Sequence, residues 1–201
     1  MRLRWQIHYS TSVLLAFYMM TGRFAEYVIV VLSLIAHEMG HLLAARLTGV
    51  KVESVCFYMY GADLRFRTNF LLPRQQFLIA CGGPIATCFI LVVCAALRDG
   101  AFTEVIQIQK LLLFINLCPV WPLDGGRIIQ AFIMRFSQST NGELLFLKFS
   151  FVMTVMAAVV AMILIKPFFM LLAFIICNQI IAEMKQFPLH RAFKRLVLKN
   201  K

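Results

Sequence analysis

Charged residues are scarce in this sequence. Asp, Glu, Lys and Arg make up only 14% of its 201 residues, whereas hydrophobic residues make up 61%. An average soluble domain carries about 25% charged residues, so this composition excludes an ordinary soluble fold. It indicates an integral membrane protein.

Two other kinds of pattern are also missing. The six cysteines form no CxxC pair, which argues against a disulfide framework and against a cysteine metal site. No Gly/Ser-rich linker, charge block or internal repeat divides the chain. We therefore predict a single core at residues 1–183, followed at residues 184–201 by a basic amphipathic tail suited to anionic cytoplasmic lipid.

The basic residues indicate topology instead of nucleic-acid binding. The formal net charge is +11, but Lys and Arg lie between the apolar segments and after the last one, not in one continuous patch. Placing both termini in the cytoplasm puts 16 Lys and Arg on that side and four on or near the other. This distribution satisfies the positive-inside rule and predicts a multi-pass cell-membrane protein with both termini cytoplasmic.

Apolar runs predict an all-α polytopic membrane protein with about six transmembrane helices. Several runs are shorter than the roughly 20 residues of a full span, so some of them must be broken or packed beside thinned lipid. The segments are Trp5–Thr21, Tyr27–Leu47, Phe77–Leu97, Val105–Leu117, Phe149–Ile165 and Phe168–Ile181. Lys166-Pro167 separates the last two, which we interpret as a helical hairpin.

The stretch VKVESVCFYMYGADLRFR, between the second and third segments, predicts a short membrane-associated β-hairpin. It is rich in β-branched and aromatic residues and contains a turn-like glycine. Its edge strand could accept an extended peptide, which makes Tyr60 and Gly61 predicted substrate contacts. A loop lying on the membrane surface is the alternative.

The second segment contains the sequence HEMGH. His37 and His41 are four residues apart, so on a helix they project from nearly the same face and can bind one Zn²⁺. Glu38 lies beside them, where it can act on a water without binding the metal. The alternative is a pair of structural histidines satisfied by hydrogen bonds.

Asp124 is the predicted third zinc ligand, because catalytic zinc usually has three protein ligands. It lies in PLDGG, after the fourth apolar segment. An isolated carboxylate at membrane depth costs about 3 kcal/mol or more, whereas a metal ion neutralises it. The alternative role for Asp124 is to cap a helix that begins near Gly126.

Together, HEMGH on the second helix and NLCPVWPLDGG after the fourth resemble the site-2 protease family (M50) of intramembrane zinc metalloproteases. The compact chain is most similar to the stage IV sporulation protease branch, without room for a PDZ or CBS domain. The resemblance implies one Zn²⁺ per active site, ligated by His37, His41 and Asp124, with Glu38 as the general base. It also implies that Asn116 holds the substrate backbone or the oxyanion, although an amide there could instead cap carbonyls of a broken helix.

Two positions depart from the family pattern. Thr87, in CGGPIAT, stands where an asparagine is common, which leaves a polar contact from this position in question. Gly61-Ala62 stands where the hairpin often has two glycines.

These features predict regulated intramembrane proteolysis, with cleavage near the cytoplasmic side. A membrane-protein substrate is expected, such as a pro-sigma factor, an anti-sigma factor or a signal-peptide remnant, and a membrane inhibitor or adaptor is a further expected partner. The lipid bilayer is the medium, and no nucleic-acid partner is expected. The alternative is a catalytically silent scaffold that sequesters membrane partners.

Overall fold

A computed structural model describes residues 4–7, 16, 18–22, 24–58, 61–68, 71–97, 100–136, 140–163 and 173–185. The described chain is mostly helical, as predicted. It divides into two compact units, Met1–Leu117 and Cys118–Lys201.

In its described residues, the first unit contains three α-helices, the helical residues 16 and 18–20, and a small sheet. The helices are α1 (Phe24–Leu47), α2 (Pro73–Leu97) and α3 (Thr103–Asn116), and a short 3₁₀ helix, Gly100–Phe102, precedes α3. Their C-terminal ends agree with the predicted apolar segments to within one residue. Helix α2 begins four residues earlier than predicted, because a hydropathy run omits the polar residues Arg74, Gln75 and Gln76 of its first turn. Helix α1 begins three residues earlier, where Glu26 interrupts the apolar run.

The sheet has three strands, β1 (Arg4–Ile7), β2 (Val52–Tyr58) and β3 (Gly61–Phe66), in the order β1-β2-β3. The antiparallel pair β2–β3 confirms the predicted hairpin. Strand β1 runs parallel to β2 and corrects the predicted first helix at Trp5–Ile7, whereas residues 16 and 18–20 of the same predicted segment are helical. The physical reason is that Arg4 and Gln6 are exposed at alternate positions, and this period of two suits a strand, not a helix.

The hairpin packs on the C-terminal half of α1. Val55 and Leu64 form a buried cluster with Leu42, while Val52 and Phe66 cover its rim. This contact fixes the sheet against the same helix that carries HEMGH.

Helices α1 and α2 cross at a contact made by small residues. Gly40 and Gly82 lie backbone against backbone, and Ala44 and Ala86 flank them one turn further along each helix. Small residues at i and i+4 let two membrane helices approach closely. The close approach brings the histidines of α1 against α2.

The second unit contains α4 (Asp124–Phe136), α5 (Thr140–Ile163) and the helical residues 173–185, here called α6. The predicted fifth segment, Phe149–Ile165, lies largely within α5, which begins nine residues earlier. Helix α4 falls between the predicted fourth and fifth segments. Lys166, Pro167 and residues 186–201 of the predicted tail lie outside the described residues.

Three described helices are long and apolar enough to cross a membrane: Phe24–Leu47, Pro73–Leu97 and Asn141–Val160. Large apolar side chains are exposed along all three, as expected for surfaces that face lipid. Helix α3 has 14 residues and is about 21 Å long, short of a roughly 30 Å hydrocarbon core. The described residues therefore give a membrane protein with three candidate spans, and six spans remain a prediction.

Candidate metal centre

His37 and His41 lie side by side on α1, buried in the first unit. Their side chains are 2% and 4% exposed, and the ring centroids are 4.9 Å apart with the rings nearly perpendicular. Their Nε2 atoms are 3.2 Å apart. Two nitrogens bound to one tetrahedral zinc, each at about 2.0–2.1 Å, would be separated by about 3.3 Å.

Helix α2 fixes the orientation of His41. The His41 Nδ1 atom lies 2.7 Å from the carbonyl oxygen of Ile79, which can only accept, so Nδ1 carries the proton and donates it. The Gly83 nitrogen lies 3.2 Å from the same atom, but a protonated Nδ1 has no lone pair with which to accept the Gly83 N–H. The neutral ring then has its lone pair on Nε2, the form that binds a metal.

Thr87 of α2 plays the corresponding role for His37. Its Oγ1 lies 2.8 Å from His37 Nδ1, and the Thr87 side chain is fully buried. A hydroxyl can donate or accept, so this bond holds the ring without fixing its tautomer. The polar contact that the departure from asparagine left in question is therefore present.

Gly83 leaves the space in which the two imidazoles meet. A Cβ built on Gly83 would lie 2.5 Å from His37 Nε2 and closer still to His41 Nε2. Pro84 follows, and having no N–H it cannot donate to the Ala80 carbonyl within α2. The bend expected at this proline lies in the same turn as the Ile79 and Gly83 backbone groups that face His41.

Glu38 is also buried, at 6% exposed, directly after His37 on α1. Its assignment as general base stays a prediction.

Asp124 is the first residue of α4 and is buried with Gly125 and Gly126. The Leu123 carbonyl accepts the Arg127 N–H at 3.0 Å, so Leu123, not Asp124, occupies the capping position. The preceding loop is tied to α5 by the Trp121 N–H, which donates to Ser150 Oγ at 3.2 Å. Gly126 has no room for a Cβ, which would meet the backbone of Val120 and Trp121.

Among the described residues, His37, His41 and Asp124 form a group that could hold a metal ion. Each offers one ligand atom, and these atoms lie within 4.8 Å of one another. Two imidazoles and one carboxylate are the donor set of many catalytic zinc sites. The chemistry of this set, the 3.2 Å separation of the imidazole nitrogens and the space left by Gly83 all fit zinc.

The predicted substrate contacts are placed less completely. Asn116 ends α3, and its Nδ2 donates to the Leu112 carbonyl at 3.1 Å, a bond within its own helix that tests neither of its predicted roles. Gly61 begins β3, paired with Tyr58. Tyr60 lies outside the described residues. Substrate binding by all three stays a prediction.

Sequence reasoning missed a second buried polar contact, between α3 and α1. Gln109 is 1% exposed, and its Nε2 donates to Ser33 Oγ at 3.2 Å. Its Oε1 has no hydrogen-bond partner among the described residues. Ser33 lies four residues before His37, so this spacing on α1 is the signal that would have found the contact.

Residues 25–103 match the family model described as Peptidase family M50. This range holds α1 with HEMGH, the hairpin and α2. The resemblance to the site-2 protease family and to its zinc metalloproteases is thereby confirmed.

Two known proteins are similar in sequence to this chain over part of their length. The chain is 34% identical over 120 residues to Rip3 of Mycobacterium tuberculosis, whose name places it among zinc metalloproteases; the match spans 54% of this chain and 30% of Rip3. It is 22% identical over 134 residues to stage IV sporulation protein FB of Bacillus subtilis, covering 63% of this chain and 46% of that protein. The chain therefore spans less than half the length of these relatives.

A solved structure has the same fold. The site-2 protease from Methanocaldococcus jannaschii superposes with a TM-score of 0.72 over 92% of each chain, at 18% sequence identity.

Proposed function

We propose that this chain, which carries a peptidase family M50 region at residues 25–103, is a zinc-dependent endopeptidase that works inside the membrane. The observation that carries the proposal is the buried pair His37 and His41, with imidazole nitrogens 3.2 Å apart and an Asp124 ligand atom within 4.8 Å. Regulated intramembrane proteolysis of a transmembrane or membrane-associated protein is the expected activity.

His37, His41 and Asp124 would hold the zinc ion. When bound, zinc would act as a Lewis acid and lower the pKa of a water molecule that it holds to about 7. Glu38 takes the proton of the attacking water and later passes it to the leaving amine. The bonds from His37 to Thr87 and from His41 to the Ile79 carbonyl hold the imidazoles in place during both steps.

Asn116 and the hairpin would bind the substrate. The carbonyls of a substrate helix are hidden in its own hydrogen bonds, so the helix must unwind before attack. Asn116 could hold the unwound backbone or the oxyanion with the part of its amide not used on Leu112. The hairpin edge near Tyr60 and Gly61 could pair with the extended strand.

Cleavage is expected near the cytoplasmic side. With both termini cytoplasmic, α1 runs toward the cytoplasm, and His37 and His41 lie ten and six residues before its end at Leu47. At 1.5 Å per residue this depth is about 10 to 15 Å. Water would therefore enter from that side.

The substrate would be a pro-sigma factor, an anti-sigma factor or a signal-peptide remnant. The sporulation role named for the Bacillus subtilis relative supports the first of these. A membrane inhibitor or adaptor is a further expected partner. The catalytic core would occupy residues 1–183, and the tail at 184–201 would lie on anionic lipid.

The decisive experiment compares the wild type with Glu38→Gln and His41→Ala in liposomes that contain single-span reporters. We expect Glu38→Gln to keep zinc and lose turnover, because only the proton acceptor is removed, whereas His41→Ala should lose both. Metal content is measured on the same preparations. Cleavage by Glu38→Gln at the wild-type rate would contradict the mechanism, and zinc binding without cleavage of any reporter would favour the silent scaffold.

A further inference from the structure

The loop that leads into α4 is tied to α5 by a hydrogen bond within the second unit. The Trp121 N–H donates to Ser150 Oγ at 3.2 Å. Neighbouring amides bond inside the loop, since the Val120 N–H donates to the Cys118 carbonyl at 2.8 Å and the Leu123 N–H donates to the Val120 carbonyl at 3.0 Å. The Trp121 amide therefore connects the loop backbone to α5.

Ser150 lies on the buried face of α5. Its side chain is 0% exposed, and Leu147 and Thr154, three positions before it and four after it, are 1% and 4% exposed. Thr154 uses its hydroxyl within the helix, where Oγ1 donates to the Ser150 carbonyl at 2.8 Å. Burying a hydroxyl costs free energy unless it is hydrogen-bonded, and the Trp121 amide supplies a partner for Ser150.

The path along the chain from Trp121 to Asp124 is short and constrained. Pro122 has a fixed φ, and the Leu123 N–H is bonded within the loop. Gly126, in the first turn of α4, lies against the same loop, because a Cβ there would be 2.5 Å from the Trp121 nitrogen. A displacement of the Trp121 amide would therefore also displace the backbone of Asp124.

We propose that Ser150 is a positioning residue for Asp124, a role that rests on the proposed zinc site. By accepting the Trp121 N–H, the Ser150 hydroxyl fixes the start of α4, so that the Asp124 carboxylate stays within reach of the metal. Distances from a metal to its ligands lie within about 0.2 Å of their ideal values, so a small displacement of the loop weakens binding. Ser150 acts through the loop backbone and touches neither the metal nor the substrate.

The test measures metal binding by the purified full chain in detergent and compares Ser150→Ala with Thr154→Val. Both variants remove a buried hydroxyl from the same face of α5, but Ser150→Ala also removes the bond to the loop. In competition with a chelator, we expect Ser150→Ala to bind zinc about 10- to 100-fold more weakly, as when other groups that orient a metal ligand are removed. Thr154→Val should keep the wild-type affinity, because the bond that it loses lies within α5.

Two further measurements separate positioning from a general loss of structure. Ser150→Thr restores the hydroxyl and should recover most of the zinc affinity. The visible absorption spectrum of bound Co²⁺ reports the ligands and the geometry around the metal, and it should change in Ser150→Ala but not in Thr154→Val. Thermal unfolding of the metal-free chains measures the stability of each variant, so that unfolding is not mistaken for weaker binding.

Wild-type zinc affinity and an unchanged Co²⁺ spectrum in Ser150→Ala would overturn the positioning role and leave the zinc site intact. Equal weakening in Thr154→Val or in Ser150→Thr would also overturn it, because packing instead of the hydrogen bond would then be responsible. A wild-type chain that binds zinc no better than Asp124→Ala would overturn the proposed zinc site itself, and with it the role of Ser150.

Discussion

Gly40 of α1 and Gly82 of α2 are in backbone contact, and neither can accept a side chain. A Cβ on Gly40 would lie 2.8 Å from the Ala86 Cβ, and a Cβ on Gly82 would lie 2.9 Å from the Ala44 Cβ. The contact is reciprocal, because the glycine of each helix packs against the glycine and the alanine of the other. One residue after each glycine come His41 and Gly83, and this crossing therefore sets the distance between the histidines and α2.

Gly82→Val should destabilise the first unit by about 1–3 kcal/mol, because the helices must separate to admit the side chain. Thermal unfolding in detergent, followed by near-UV circular dichroism, measures the loss. Ile85→Val is the control, since Ile85 is 65% exposed on the same helix. A similar melting temperature for Gly82→Val and Ile85→Val would contradict the crossing.

Gly83→Ala should lower the zinc content more than it lowers stability. The added Cβ would occupy the space where the two Nε2 atoms meet, so the imidazoles would have to turn away. Zinc per chain, measured after equilibration with a metal buffer, reports the effect. Gly100→Ala is the control because nothing lies within 4 Å of the position of its Cβ. Stoichiometric zinc in Gly83→Ala would show that the metal does not lie there.

Thr87→Val should weaken zinc binding by about 10- to 100-fold, the usual effect of removing a partner that orients a metal-binding histidine. Valine keeps the shape of threonine but cannot bond to His37 Nδ1. Thr87→Ser restores the hydroxyl and should return the affinity to near the wild-type value. Competition with a chelator of known affinity measures both variants, and equal weakening by valine and serine would point to packing instead of hydrogen bonding.

Gln109→Met should leave stability unchanged or raise it. The substitution removes a buried carbonyl oxygen that has no partner among the described residues, and that oxygen carries a desolvation cost of about 1–3 kcal/mol. The bond to Ser33 is lost in exchange, although a serine hydroxyl can bond within its own helix. Chemical unfolding in mixed micelles measures whether the free energy of unfolding rises or falls. A marked loss of stability would mean that the Oε1 atom is satisfied by an internal water.

The sequence was sufficient to predict much of the candidate site. The i, i+4 spacing of His37 and His41 places them on a shared helical face. A carboxylate at membrane depth, such as Asp124, is costly unless a cation neutralises it, so a metal could be predicted there. The backbone groups of α2 that contact the two histidines could not be predicted in this way. The Ile79 carbonyl carries no side-chain signal, and the importance of Gly83 depends on how closely α2 approaches α1.

The fold was predictable where a pattern was long. The 24 and 25 residues of α1 and α2 give a strong hydropathy signal, and the β-branched hairpin is distinct from both helices. Strand β1 has only four residues and leads into an apolar run, so its alternation was absorbed into a predicted helix. Its pairing partner lies far along the chain, and a local pattern does not reveal such a partner.

The parallel pairing of β1 with β2 has a consequence for the order of assembly. Arg4 pairs with Ser54, fifty positions later, and α1 lies in the intervening chain. During synthesis, β1 therefore cannot form its backbone hydrogen bonds to β2 until α1 and the hairpin have been made. Closing the loop between two such distant strands lowers the conformational entropy of the chain before any strand contact offsets that loss. The pairing of β1 would thus be the last strand contact to form in the first unit, although β1 precedes the hairpin in the chain.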